Sequence, residues 1–230
     1  MTANRHLEIG ALIYPRMDQV DFTGPFEVLV RLPDTTFHVL WKDKAPIRDV
    51  AGLVLTPGTT LDEAPPLDVL VVPGGYGQQE LMEDEAVLSF LRTQAAHADY
   101  TFSVCTGALL CGAAGLLHGV RATTHWTALH LLPYFGAIAV DERVVVDGKH
   151  VSAAGVTAGI DGALTLAALL RGEKAARQIQ LSMQYSPEPP FDAGSPHTAA
   201  PDIVEAVRLQ SSRITAEREA TAKRMQLRRQ

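Results

Sequence analysis

Short, continuous apolar runs alternate along the chain with longer stretches in which apolar positions recur every three to four residues. That alternation predicts an α/β architecture built on a mostly parallel sheet. Residues 7–14 read as a first buried strand, and residues 35–42, 52–56, 68–72 and 100–104 as further strands. Asp21-Phe22-Thr23-Gly24-Pro25 is expected to open a helix, with polar cap candidates, a proline near the first turn, and Phe26, Val28, Leu29 and Leu32 following. Val87, Leu88 and Leu91 set a helical spacing over residues 85–97. Further helices are predicted over 107–117, 126–132, 159–170, 175–185 and 201–228. Residues 138–151 alternate around Asp147-Gly148, a hairpin signal. There are no repeats and no low-complexity linker. Residues 1–200 are therefore read as one domain, 201–230 as its helical extension, and the proline-rich stretch 186–201 as a surface connection.

Composition narrows the classes. The chain has 230 residues, 47% of them hydrophobic, which is enough for a substantial core and excludes a disordered chain. Twenty Lys and Arg against 26 Asp and Glu leave a net charge of −6, so no global field draws the protein to nucleic acid or to an acidic membrane. Residues 101–120 carry no Asp, Glu, Lys or Arg and approach the length of a membrane span. Gly107, Gly112, Gly115 and Gly119 interrupt them, and a buried strand entering a buried helix fits better. The N-terminal segment has no apolar leader core, so a cytoplasmic protein is expected. Two cysteines cannot build a disulfide framework, and Cys105 and Cys111 are too far apart to bridge if they share one helix. The eight histidines show no metal-binding spacing with carboxylates, so no metal is expected.

The chemistry gathers at the end of the strand over residues 100–104. There Ser103-Val104-Cys105-Thr106-Gly107 has the form of a nucleophile elbow, in which a buried strand delivers a cysteine at a sharp turn into a helix. Free N–H groups at the helix start are expected to lower the thiol pKa, and the Thr106 N–H to face developing negative charge. Cys111, placed mid-helix, reads as core filler. Pro73-Gly74-Gly75 ends another buried strand, where glycine lets backbone approach a ligand; on its own it fits an ordinary turn equally well. Asp21 is either a helix cap or a carboxyl group at the same sheet edge. His125 is a candidate base or orienter for the cysteine. The basic tail over residues 213–229 reads as a solvated or packed helix, because Ile214, Ala216, Ala220 and Met225 interleave with its charges.

Together with Ala122-Thr123-Thr124-His125-Trp126 and Thr157-Ala158-Gly159-Ile160-Asp161, the elbow and the Pro73-Gly74-Gly75 turn resemble the PfpI-type, class I glutamine-amidotransferase-like superfamily over roughly residues 7–200. The segments Gln19-Val20-Asp21-Phe22-Thr23-Gly24-Pro25 and Pro189-Pro190-Phe191-Asp192-Ala193-Gly194-Ser195-Pro196 are similar to its isonitrile hydratase branch. The resemblance implies a flavodoxin-like sandwich with helices on both faces of the sheet, a homodimer and no cofactor. It implies catalytic roles for Cys105, Asp21 and Thr106, with Gly75 and His125 positioning the substrate. The implied reaction is hydration of a small isonitrile to an N-substituted formamide through a cysteine thioimidate. The alternatives are a glyoxalase- or deglycase-like enzyme acting on reactive carbonyls, and a redox-sensing or chaperone-like dimer. Thr106 stands where peptidase-like members carry histidine, so peptidase chemistry is not expected. DNA-binding regulators share these motifs but need about 100 further residues.

Overall fold

The continuously apolar runs form the middle of one sheet. The computed structural model describes residues 5–229. Its elements begin with β1 (Leu7–Leu12), α1 (Gln19–Leu29) and β2 (Thr35–Trp41). Three two-residue strands follow, β3 (Ile47–Arg48), β4 (Val54–Leu55) and β5 (Thr59–Thr60), then β6 (Val69–Val72) and the single turn α2 (Gln78–Leu81). Next come α3 (Glu85–His97), β7 (Tyr100–Val104), α4 (Gly107–Ala113), β8 (Arg121–Ala122), a 3₁₀ helix over Trp126–Phe135 and β9 (Ile138–Ala139). The chain closes with β10 (Val144–Asp147), β11 (His150–Ala153), α5 (Ala158–Arg171), α6 (Glu173–Ser182) and α7 (Pro201–Arg229).

Seven strands join in the order β10-β11-β7-β6-β1-β2-β5, and every pairing is parallel except β10 with β11. Both faces of β6, and nearly all of β1 and β7, are buried, which is why these strands read as unbroken apolar runs. Helices α1, α5 and α6 pack together on one face; α3, α4 and the 3₁₀ helix cover the other, with α2 and α7 outside them. This is the expected flavodoxin-like sandwich. From β1 the chain steps outward to β2 on one side, and from β6 it steps to β7 on the other. The topological switch therefore lies between β1 and β6, the place where open α/β sheets form their binding crevice.

Several predicted elements shift. Helix α1 starts at Gln19, capped by the Asp18 carboxylate, which accepts from Val20 N at 3.1 Å. Asp21 thus lies inside the first turn and is not the cap. Helix α4 stops at Ala113, short of residue 117, and Gly115 beyond it has φ +86°. Residues 52–56 contribute only β4, paired with β3 off the main sheet. The hairpin at Asp147-Gly148 spans β10 and β11 alone, because Ile138–Ala139 pairs in parallel with Arg121–Ala122. No helix of the described residues is long and apolar enough to cross a membrane. Of the N-terminal segment read as leaderless, residues 1–4 lie outside the described residues.

Candidate active site

Cys105 leaves β7 with φ +54°, a left-handed conformation that costs a non-glycine residue about 1–2 kcal/mol. The surroundings hold it there. Its N–H donates to Ala153 O of β11 at 2.9 Å, and Thr124 Oγ1 donates to its carbonyl at 2.7 Å. Gly107 completes the elbow, since a Cβ at this position would collide with the Val72 carbonyl at the end of β6. The elbow predicted from sequence is the observed backbone.

The loops after β1 and β6 are knitted across the switch point. Met17 and Gly75 form an antiparallel bridge, Asp18 N donates to Gly74 O at 3.1 Å, and the buried Tyr14 hydroxyl donates to Pro73 O at 2.7 Å. Gly75 has φ +122°, and a Cβ on Gly74 would come within 2.5 Å of Thr106 N and 2.9 Å of Asp21 Oδ2. The turn must be glycine for that approach. The Gly75 N–H is taken up by Thr106 Oγ1 at 3.1 Å, so this amide braces the elbow.

Asp21 is fully buried (0% exposed) below the cysteine. Its Oδ2 accepts from Gly74 N at 3.0 Å, while Oδ1 has no hydrogen-bond partner among the described residues. Burial first, and the nearby Asp18 second, raise its pKa from 3.8 to about 8. The Cys105 thiol lies close enough to influence that ionisation, yet no hydrogen bond of normal geometry joins the two.

Cys105 is 7% exposed. Burial and the Asp21 carboxyl push its thiol well above the ordinary range, against the downward pull of the Thr106 N–H and of Arg218. The expectation of a lowered thiol pKa is therefore corrected: one amide at the start of a short, seven-residue helix does not offset complete desolvation. Asp21 and Cys105 both hold their protons near neutral pH. Cys111 is buried in α4 and pushed up to about 12 by desolvation.

Above the thiol lies a cavity of about 150 Å³, lined by Cys105, Thr106, Gly75, His125 and, among apolar groups, Val50 and Val156. A space of this size holds a molecule about as large as benzene. Asp21 does not line the cavity itself and lies just beneath its floor. His125 caps the 3₁₀ helix, its Nδ1 accepting from Thr127 N at 3.4 Å and lying 2.8 Å from Thr127 Oγ1. Burial, then Arg218, lowers its pKa, which leaves the ring neutral. No hydrogen bond links it to Cys105 among the described residues. The structure thus brings Cys105, Thr106, Asp21 and Gly75 into one cluster and sets His125 on its wall.

One contributor escaped sequence reasoning. Ser211, Ile214 and Arg218 of α7 also line the cavity. Arg218 is only 5% exposed; Nη2 donates to Gly75 O at 2.7 Å and to Thr106 Oγ1 at 3.4 Å, and Nε donates to Gln78 Oε1 at 3.1 Å. The tail helix therefore closes the site. No group of three or more metal-ligating side chains comes together among the described residues.

A family model for the DJ-1/PfpI family matches residues 8–169. The chain belongs to that family. It is 54% identical over 88% of its length to an isonitrile hydratase of Pseudomonas putida, of which it covers 89%. A crystal structure of a THiJ/PfpI family protein from Pseudomonas syringae superposes with a TM-score of 0.93 at 38% identity, covering 95% of this chain and 91% of that one. The chain also matches the HTH-type transcriptional regulator GbdR of Pseudomonas aeruginosa at 32% identity, over 65% of its own length and 41% of the regulator's. The sandwich and the family expected from the sequence motifs are both found.

Proposed function

We propose that this member of the DJ-1/PfpI family hydrates isonitriles to N-substituted formamides through a thioimidate on Cys105. The observation that carries the reading is the pairing of a thiol with a carboxylic acid that holds its proton up to about pH 8. An isonitrile needs both, since its terminal carbon must gain a sulfur and a proton. Identity of 54% to an isonitrile hydratase across nearly the whole chain points the same way.

In the first step sulfur bonds to the terminal carbon while Asp21 gives that carbon a proton and takes up the thiol proton. The product is Cys–S–CH=N–R, with the acid regenerated. Water then adds across the C=N bond, oxygen to carbon and a proton to nitrogen, with Asp21 relaying it. Collapse of Cys–S–CH(OH)–NH–R breaks the C–S bond, returns the hydroxyl proton to sulfur and releases R–NH–CHO. The Thr106 N–H, directed at the sulfur, stabilises charge that develops there. Gly75 holds the Thr106 side chain in place, and the neutral His125 bounds the substrate. A raised acid pKa is what lets a carboxyl donate a proton near neutrality.

Cyclohexyl isocyanide, methylglyoxal and peroxide offered in parallel test the reading. The expected result is turnover of the isonitrile alone, with a thioimidate mass on Cys105 in quenched samples and none in Cys105→Ala. Methylglyoxal consumption without isonitrile turnover would establish the carbonyl-directed alternative. Preferential sulfenylation of Cys105 by peroxide would favour the sensor. We also infer a homodimer, checked by sedimentation at twice the 24.8 kDa chain mass.

A further inference from the structure

Arg218 is a buried cation without a counter-ion. Among the described residues no carboxylate lies within ion-pair distance of it, and its neighbours Glu217 and Glu219 are turned to Arg213 and Lys223. The groups it does meet are the Gly75 carbonyl, the Thr106 hydroxyl and the Gln78 amide oxygen, bonded from Nε and Nη2. The two N–H groups of Nη1 have no partner among the described residues, and the side chain lines the cavity. The other charged group on the wall, Asp18, has Oδ1 turned to the N-terminus of α1. Asp21 below is held neutral near pH 7, and His125 is neutral as well.

An arginine keeps its charge even when buried, and burying a charge without an opposite one is costly. A retained, largely buried guanidinium facing a small cavity is an arrangement that binds an anion presented by a ligand. We propose that the cavity selects substrates carrying a carboxylate one or two carbons from the reacting group, with Arg218 of α7 holding that carboxylate. Resting on the isonitrile reading above, this makes the preferred substrate an α- or β-isocyano acid. The arm is short because Arg218 braces the same Gly75–Thr106 corner that carries the elbow. A single guanidinium in a cavity of about 150 Å³ suits a planar monoanion better than a phosphate ester. Helix α7 thereby sets specificity: Ser211, Ile214 and Arg218, spaced by three and four residues, present one face to the ligand.

Alkylation of Cys105 by iodoacetate and by iodoacetamide tests the charge without any isonitrile. Both reagents consume the same thiolate, so the raised thiol pKa cancels in the ratio of their rates. Normalised to N-acetylcysteine, that ratio is expected to favour iodoacetate by about tenfold or more in the wild-type protein. Arg218→Gln should bring it to the free-thiol value, and Arg218→Lys should retain part of it. A wild-type ratio at or below the free-thiol value overturns the proposal even if the variants fail to fold. A preference that survives in folded Arg218→Gln overturns it too. The second arm compares isocyanoacetate with its methyl ester. A kcat/KM ratio favouring the acid by about tenfold, and lost in Arg218→Gln, supports the proposal; a preference for the ester overturns it. If neither isonitrile reacts while iodoacetate is still preferred, the anion site stands and only the isonitrile reading falls.

Discussion

At Asp21 the protein keeps a carboxyl group wholly out of water and gives it one backbone hydrogen bond. Its pKa is 3.8 when unfolded and about 8 when folded, so folding takes up a proton between those values. The stability tied to the neutral acid is complete below pH 4 and declines as pH rises towards 8. At pH 7 roughly three pH units of that decline have accrued, about 4 kcal/mol at ~1.36 kcal/mol per unit. Asn is the neutral isostere: its oxygen can accept from Gly74 N, and it never ionises. Asp21→Asn should therefore raise the melting midpoint at pH 7–8, leave it nearly unchanged at pH 4, and lower isonitrile hydration by about 10²–10⁴-fold. Thermal melts and assays across pH 4–9 check this. An Asn variant that hydrates normally would leave the residue structural. The proposed mechanism uses the protonated acid, so the wild-type protein should also lose kcat/KM as pH passes 8. Cys105 carries a different strain, in the backbone. Cys105→Gly relieves φ +54° whereas Cys105→Ala does not, so the glycine variant should unfold about 1 kcal/mol harder in urea, with both inactive.

Helix α7 shows at the scale of an element why part of the site was legible and part was not. β6 and β7 announce themselves because burial on both faces demands unbroken apolar sequence. The elbow follows because few other contexts need a small residue, a nucleophile and a glycine at a strand end. The start of α1 is harder to read: Asp21 was the cap candidate in the sequence, and the chain's path gives that place to Asp18, three residues earlier. Arg218 was unreadable, as one cation among six Lys and Arg in a tail without a clear apolar stripe. What turns it inward is long-range: it meets Gly75, Thr106 and Gln78, more than 100 residues away. The helix is seated by few apolar groups, chiefly Ile214 and Ala222, together with Gln79 Nε2 donating to Thr221 Oγ1 at 2.7 Å. Overfilling at Ala222, which is fully buried, should lift it. Ala222→Leu is expected to cost about 1–3 kcal/mol. Moving Arg218 by about 1 Å should also reduce hydration by up to ~10²-fold. Circular dichroism should stay helical, and unchanged kinetics would show that α7 does not close the site.

For the whole molecule the open question is whether the basic tail reaches nucleic acid, since GbdR, a regulator, shares part of this chain's sequence. Affinity for a duplex comes first from free Lys and Arg that displace counterions along the phosphates. In α7 those cations are engaged within the protein. Arg213 pairs with Glu217 at 2.9 Å, Lys223 with Glu219 at 2.7 Å, and Glu83 receives Arg224 at 2.7 Å and Arg228 at 3.4 Å. Arg208 lies over the Trp126 ring at 5.6 Å, and Arg218 is buried beside the Cys105 cavity; the Arg229 side chain lies outside the described residues. Exposed pairs of this kind are individually weak, so phosphate could compete for them one at a time. It would do so against a net charge of −6, with each ion-paired cation it captured releasing a carboxylate that repels the duplex. The geometry opposes binding as well, because α7 is one continuous helix of 29 residues, not two short helices set at an angle for the major groove. Fluorescence anisotropy with generic duplex DNA at low salt should accordingly show no binding at micromolar protein. Binding that weakens steeply with added salt would mean that the tail's ion pairs open in solution and that α7 has a role besides closing the cavity.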